Sequence, residues 1–157
     1  MTKFEVLNYI IDSDLSDNDL DWLSNQLFEL THNHSLSLQL QVKTSFEGDF
    51  QIDFKMNGDE VIASYTKWSD TKDKIIPQKT FLKLVDKIAN INFTKVYFEN
   101  CDRRGLDGYR ATLRIRKGSY STSISVWSPQ KTKASESNKL IVVMQQICNL
   151  VSVEMKF

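Results

Sequence analysis

All five arginines of this 157-residue chain, Arg103, Arg104, Arg110, Arg114 and Arg116, fall within 14 consecutive positions. A guanidinium fork matches a carboxylate or a phosphate bidentately, so the cluster is a candidate anion-recognising surface. Within it, Tyr109, Ala111, Leu113 and Ile115 alternate with Arg110, Thr112, Arg114 and Arg116. On a strand that period of two sends the apolar set to one face and the arginines to the other. After Gly118, the run Ser119, Ser121, Ser123 and Ser125 keeps the arginine phase, while Ile124 and Val126 keep the apolar one. The expected surface is a field of arginines among small hydroxyls, with Arg103 and Arg104 at its edge.

Charge of the opposite sign gathers near the N-terminus, at Asp12, Asp14, Asp17, Asp19 and Asp21. A calcium loop needs a glycine at its sixth position and a bidentate glutamate at its twelfth. Counted from Asp12 those positions hold Asp17 and Leu23, so the spacing fails and no metal is expected. Ser16 suits an N-cap, and acids in the first turn complement the helix dipole. Leu20, Leu23, Leu27 and Leu30 then recur at helical spacing, with Trp22 beside them. Asp14, Asp17, Asp19, Asp21 and Trp22 thus form a second charged surface.

Catalytic signatures are few. His32 and His34 are the only histidines, and no third ligand stands near them at a recognisable spacing. Gly105 and Gly108 have the spacing of an RNA-clamping Gly-x-x-Gly loop, but Asp107 between them repels phosphate and the segment leads into a strand. Cys101 and Cys148 stand far apart, and there is no phosphate loop and no dinucleotide fingerprint. Neither an enzymatic activity nor a cofactor is expected.

The balance of 20 basic against 20 acidic residues excludes a polycation that wraps nucleic acid by bulk charge. The balance is uneven along the chain. Residues 1–35 carry seven acids and Lys3, a net −6; residues 36–94 are neutral; residues 95–157 carry a net +6. The first residues lack the basic and apolar regions of a signal peptide. The longest apolar run, Leu140–Met144, is far short of the roughly 20 residues a membrane span needs. A soluble, cytoplasmic protein with no membrane partner is expected.

These surfaces need elements to hold them. Phe4, Leu7 and Ile11 fit a short N-terminal helix ahead of the one that begins near Ser16, with a strand over Phe4–Tyr9 as the alternative. Leu36, Leu38, Leu40 and Val42 alternate with polar residues, as do Phe50, Ile52, Phe54 and Met56, and Asn57-Gly58 reads as the turn of a hairpin. A third strand is expected over Glu60–Trp68, and a helix with Pro77 at its first position and an apolar face of Phe81, Leu82, Leu84, Val85 and Ile88. A strand is expected around Lys95–Glu99, then the arginine and serine strands, then a final helix from about Glu136.

An offset of 59 residues places Phe54 on Leu113, Trp68-Ser69 on Trp127-Ser128 and the apolar face of the first helix on Leu140, Ile141, Val143, Met144 and Ile147. The expected fold is one α+β domain over 1–157, with pseudo-repeats at about 36–92 and 95–151. About six antiparallel strands carry helices on one face, so the other sheet face is left open. The two matching tryptophans are expected to share a core role under their loops.

The stretch from Leu106-Asp107-Gly108-Tyr109 to Val126-Trp127-Ser128-Pro129 resembles a segment common in small cytosolic bacterial proteins. Among these are cognate immunity proteins of polymorphic and contact-dependent toxins. Separately, the order of helices and strands is similar to that of type III secretion chaperones. Both resemblances imply a module that holds another protein, and neither assigns site residues. The expected partner is a cognate protein toxin domain. Because toxins acting on nucleic acid present basic clefts, the acidic segment Asp14–Trp22 is the first docking surface to consider and the arginine strand the second. A nucleic-acid-binding regulator using Arg110, Arg114 and Arg116 is the rival reading. Nucleic acid is not the expected partner, since no exposed aromatics interleave the arginines.

Overall fold

Among the described residues, six runs of alternating or edge-exposed residues become strands, and together with three helices they make two layers. In the computed structural model the strands are β1 (Ser35–Thr44), β2 (Phe50–Asn57), β3 (Glu60–Lys67), β4 (Asp70–Ile76), β5 (Tyr109–Lys117) and β6 (Tyr120–Trp127). The helices are α1 (Gln78–Ala89), α2 (Phe93–Asn100) and α3 (Glu136–Leu150). The structure describes residues 16, 35–45, 47–101, 108–118, 120–128, 135–155 and 157. The expected N-terminal helices lie outside the described residues, and so do Asp14, Asp17, Asp19, Asp21, Trp22, His32, His34, Arg103 and Arg104.

All six strands join one antiparallel sheet in the order β4-β3-β2-β1-β5-β6. Leu38, Leu40 and Val42 of β1, Ile52 and Phe54 of β2, Val61 and Ala63 of β3, Leu113 of β5 and Ile124 and Val126 of β6 point to one buried face. Against it lie Phe81, Leu84 and Ile88 of α1, Val96 of α2 and Leu140, Val143, Met144 and Ile147 of α3. The rings of Phe54 and Phe81 stack at 5.7 Å across the two layers.

The register of the hairpins differs in detail from the sequence reading. Asn57 pairs with Glu60, so Gly58 and Asp59 form the turn, one position later than expected. Of the two, Gly58 takes the left-handed φ of 65° that glycine allows at no steric cost. Pro77 sits one place before α1, where its carbonyl accepts the N–H groups of Thr80 and Phe81 at 3.0 and 3.1 Å. The hairpin-then-helix order recurs in both halves, but the pairing does not coincide at a single offset. Phe54 pairs with Ala63, whereas Leu113 pairs with Ile124 rather than with Thr122.

Two elements differ outright. The expected strand at Lys95–Glu99 is the helix α2. Val96, Tyr97 and Phe98 favour a strand as residue types, but capping and packing decide otherwise. Asn92 accepts the Lys95 N–H on its side chain at 3.0 Å, and Phe93, Val96 and Asn100 follow at helical spacing toward the core. The sixth strand is instead β4, whose run Asp-Thr-Lys-Asp-Lys-Ile-Ile carries only Ile76 into the core. It follows β3 through a two-residue turn in which Trp68 has a φ of 54°. Trp68 is 79% exposed, so its expected core role is corrected: one side of the ring lies beside Gly48, and the Lys67 ammonium sits 5.1 Å from its centroid.

Helices α2 and α3 cap one another. Glu99 of α2 accepts the N–H groups of Glu136 at 3.2 Å and Ser137 at 2.9 Å, and also the Ser137 hydroxyl. Glu136 in return accepts the Asn92 N–H at 3.0 Å. Buried Asn100 donates to Ser137 Oγ at 2.8 Å and to the Val96 carbonyl at 2.7 Å. The Ser137 hydroxyl foremost holds the Glu99 carboxyl below the ordinary glutamate range; burial, next in size, opposes it, and the two backbone N–H groups and Lys95 add to the lowering. A depressed folded-state value stabilises the fold above the unfolded value, and the gain is lost as pH falls through the folded value. Glu99→Gln keeps an acceptor oxygen but loses the charge, and is therefore expected to lower the melting temperature modestly near neutral pH. The gap to wild type closes as the pH falls below the glutamate range, which thermal melts over a pH series read directly.

The C-terminal end of α3 is closed as firmly. Ser152 adopts a φ of 60°, and the N–H groups of Ser152 and Val153 return to the carbonyls of Asn149 and Cys148 at 3.1 and 2.9 Å. Lys74 of β4 reaches over to the Leu150 carbonyl at 2.9 Å. Phe157 then packs edge-on against Tyr109 at 5.3 Å, covering the end of the core.

Candidate functional site

The helices all lie against the apolar sheet face, and within the described residues no element covers the opposite one. Its composition follows from the register. One row across the sheet reads Asp73, Ser64, Asp53, Gln39, Arg114, Ser123, and the next reads Ile75, Ile62, Lys55, Ser37, Arg116, Ser121. A third row ends in Gln41, Thr112 and Ser125, and beyond it Lys43 stands opposite Arg110, which pairs with Trp127.

Arg110, Arg114 and Arg116 are all exposed, as are Ser121, Ser123 and Ser125, so the phase read from the alternation places them together. Among the described residues, none of these arginines forms an ion pair; the one ion pair there is Lys139 with Glu136. The nearest acid along the row, Asp53, is engaged by two amides. Its carboxylate accepts from Gln39 Nε2 at 2.8 Å and from Gln51 Nε2 at 2.5 Å. Arg116 spends its Nε on the Gly118 carbonyl at 3.3 Å, which fixes the side chain along the hairpin. A groove of about 430 Å³ runs over this part of the face, with Gln39, Asp53, Lys55, Ser64, Arg114 and Arg116 along it.

Arg114 and Arg116 are two residues apart on one strand, so their Cα atoms lie about 7 Å from each other. That is also the repeat of carboxylates at alternate positions of an extended chain. The β3–β4 side differs in character, bearing Asp73 and the isoleucine pair Ile62 and Ile75, which are 38% and 69% exposed. Charge on the face is therefore graded, basic toward β5 and mixed toward β4.

Sequence reading had no means to place Gln39, Asp53 and Lys55 beside the arginines, because that neighbourhood depends on β1 lying between β2 and β5. A second exposed feature also escaped it. Tyr97 and Phe98 of α2 are 57% and 68% exposed, and Tyr97 lines a groove of about 470 Å³ with Cys101, Arg110, Ser125 and Trp127. Trp127 is half-buried there, next to Gly108, and turned toward the groove rather than into the core.

Among the described residues, no group of three or more His, Cys, Asp or Glu is gathered to hold a metal ion. Burial pushes the Cys148 thiol up to about 12, which leaves it without thiolate character at neutral pH. Among the described residues no helix is long and apolar enough to cross a membrane. In comparisons with known proteins, no family model, no curated protein and no solved structure matches the chain.

Proposed function

We propose that this chain is a non-enzymatic protein-binding module of the cytoplasm, an immunity protein that binds a cognate bacterial toxin domain and neutralises it. The observation that carries this reading is the open sheet face, where Arg110, Arg114 and Arg116 stand exposed without acidic partners among the described residues. Desolvating such groups is favourable only against complementary acids, so the face suits an acidic surface of another molecule. Its mixed side, with Asp53, Asp73, Ile62 and Ile75, favours a protein over a nucleic-acid backbone, which rewards uniform positive charge. Trp127 on that face and Tyr97 in the groove beside it are the aromatic side chains described next to Arg110, too few for a track of stacked bases. The acidic surface of Asp14, Asp17, Asp19, Asp21 and Trp22 lies outside the described residues, so the reading rests on the arginines.

The test is to look for a toxin-domain gene immediately upstream and to co-express its product with this chain. Growth rescue and co-purification of the two chains in fixed proportion are the expected results. Failure of the pair to associate, with the chain instead retained on duplex or single-stranded nucleic acid in a salt-dependent way, would return the nucleic-acid reading.

A further inference from the structure

The two edges of the sheet are built differently. β4 carries Asp70, Lys72, Asp73 and Lys74, with Lys72 and Lys74 in the phase that faces the helices, and Lys74 is tied to the end of α3. Inward-pointing lysines and dense charge are how native edges avoid pairing with other chains. β6, Tyr-Ser-Thr-Ser-Ile-Ser-Val-Trp, has no charge and no proline, and among the described residues it pairs with β5 alone.

Its free hydrogen-bonding groups are identifiable. The Ser128 N–H bonds the Tyr109 carbonyl at 2.8 Å, and antiparallel pairs alternate between bonded and unbonded. Val126, Ile124 and Thr122 therefore direct their backbone groups to β5, while Trp127, Ser125, Ser123 and Ser121 direct theirs outward. Those same outward residues, serines for the most part, occupy the arginine face. Their small side chains leave open the space between Arg114 and Arg116 and whatever lies beyond the edge.

We propose that β6 accepts an extended acidic segment of a partner protein as a seventh strand, whose alternate carboxylates meet Arg114 and Arg116 across the row of serines. This rests on the protein-binding reading above and names the chemistry of the partner. Backbone bonds to Ser121, Ser123 and Ser125 supply affinity, and the roughly 7 Å arginine spacing selects carboxylates at every second residue. An added strand lies about 10 Å from β5, two inter-strand spacings away, a gap that an arginine and a glutamate extended toward each other can close.

The test uses the full chain and an end-capped peptide of alternating Glu and Val, matched to the eight residues of β6. Amide hydrogen exchange is followed by NMR with and without the peptide, and a Lys-Val peptide of the same length is the control. The expected result is slowed exchange at Ser121, Ser123 and Ser125 with the acidic peptide and none with the basic one. Ser123→Pro removes an outward N–H and no bond to β5, a substitution an edge strand tolerates. It is expected to weaken binding about tenfold, the worth of one well-made hydrogen bond, with the melting temperature nearly unchanged. Arg114→Glu is expected to weaken binding by a similar factor or more.

Undiminished binding by Ser123→Pro overturns the edge proposal. If Arg114→Glu still weakens binding in that case, the open face binds acidic protein without strand addition and the broader reading survives. Absence of protection at millimolar peptide also overturns the proposal. So does finding those amides already protected in the free protein, because a segment of the same chain or a second copy then holds the edge.

Discussion

Phe54→Ala is expected to lower folding stability by about 3–5 kcal/mol, the range for removing a fully buried aromatic ring. Phe54 has no exposed surface, sits mid-strand between Leu38 of β1 and Ala63 of β3, and stacks on Phe81 of α1. Its removal leaves a void between the layers that two sheet neighbours and one helix cannot all close at once. For a chain of this size each kcal/mol is worth about 2–4 °C in melting temperature, so a fall on the order of 10 °C follows. Ile62→Ala in the adjacent strand is the contrasting case, since Ile62 points to the open face and is 38% exposed. Urea titration of both variants separates the faces: a loss under about 1 kcal/mol for Phe54→Ala is incompatible with a fully buried ring.

Reversing Arg110, Arg114 and Arg116 together to glutamate is expected to slow association with the proposed protein partner by about 10- to 1,000-fold at low salt, the span that electrostatic steering covers. The three charges share one exposed face and, among the described residues, take no part in an ion pair, so their loss bears on the partner more than on the fold. Among the described residues, the one side-chain hydrogen bond forfeited is Arg116 to the Gly118 carbonyl at the hairpin turn. Stopped-flow association at two ionic strengths checks the result: the wild type is expected to slow steeply with added salt and the variant to be nearly insensitive. An equal salt dependence in both would move the interaction to another surface.

Legibility in the sequence follows how much each element buries. β1, β2, β5 and β6 show a clean period of two because one face is core and the other open, and so the arginine face could be read from Tyr109–Ile115 alone. β4 was not legible, because an edge strand with one buried residue has no alternation to show, and its turn is made by Trp68 rather than glycine. α2 was misread because Val96, Tyr97 and Phe98 are strand formers by type. What makes them helical is the Asn92 cap just before them, which residue type alone does not reveal, and, elsewhere in the chain, Glu136 and the packing against α3. The neighbours of the arginines were out of reach for the same reason. Asp53 and Gln39 come beside Arg114 only through the long return from β4 by way of α1 and α2 to β5.

The most direct measurement is the association rate of the chain with the proposed toxin partner, once co-purification has supplied it, for two charge-reversed variants side by side. One is Arg114→Glu, and the other carries Asp17→Lys, Asp19→Lys and Asp21→Lys. A partner held on the open sheet face requires the arginine variant to associate more slowly, with a flattened salt dependence, and the aspartate variant to keep close to the wild-type rate. An unchanged rate for Arg114→Glu together with a slowed aspartate variant would contradict it and place the docking surface in the acidic N-terminal segment.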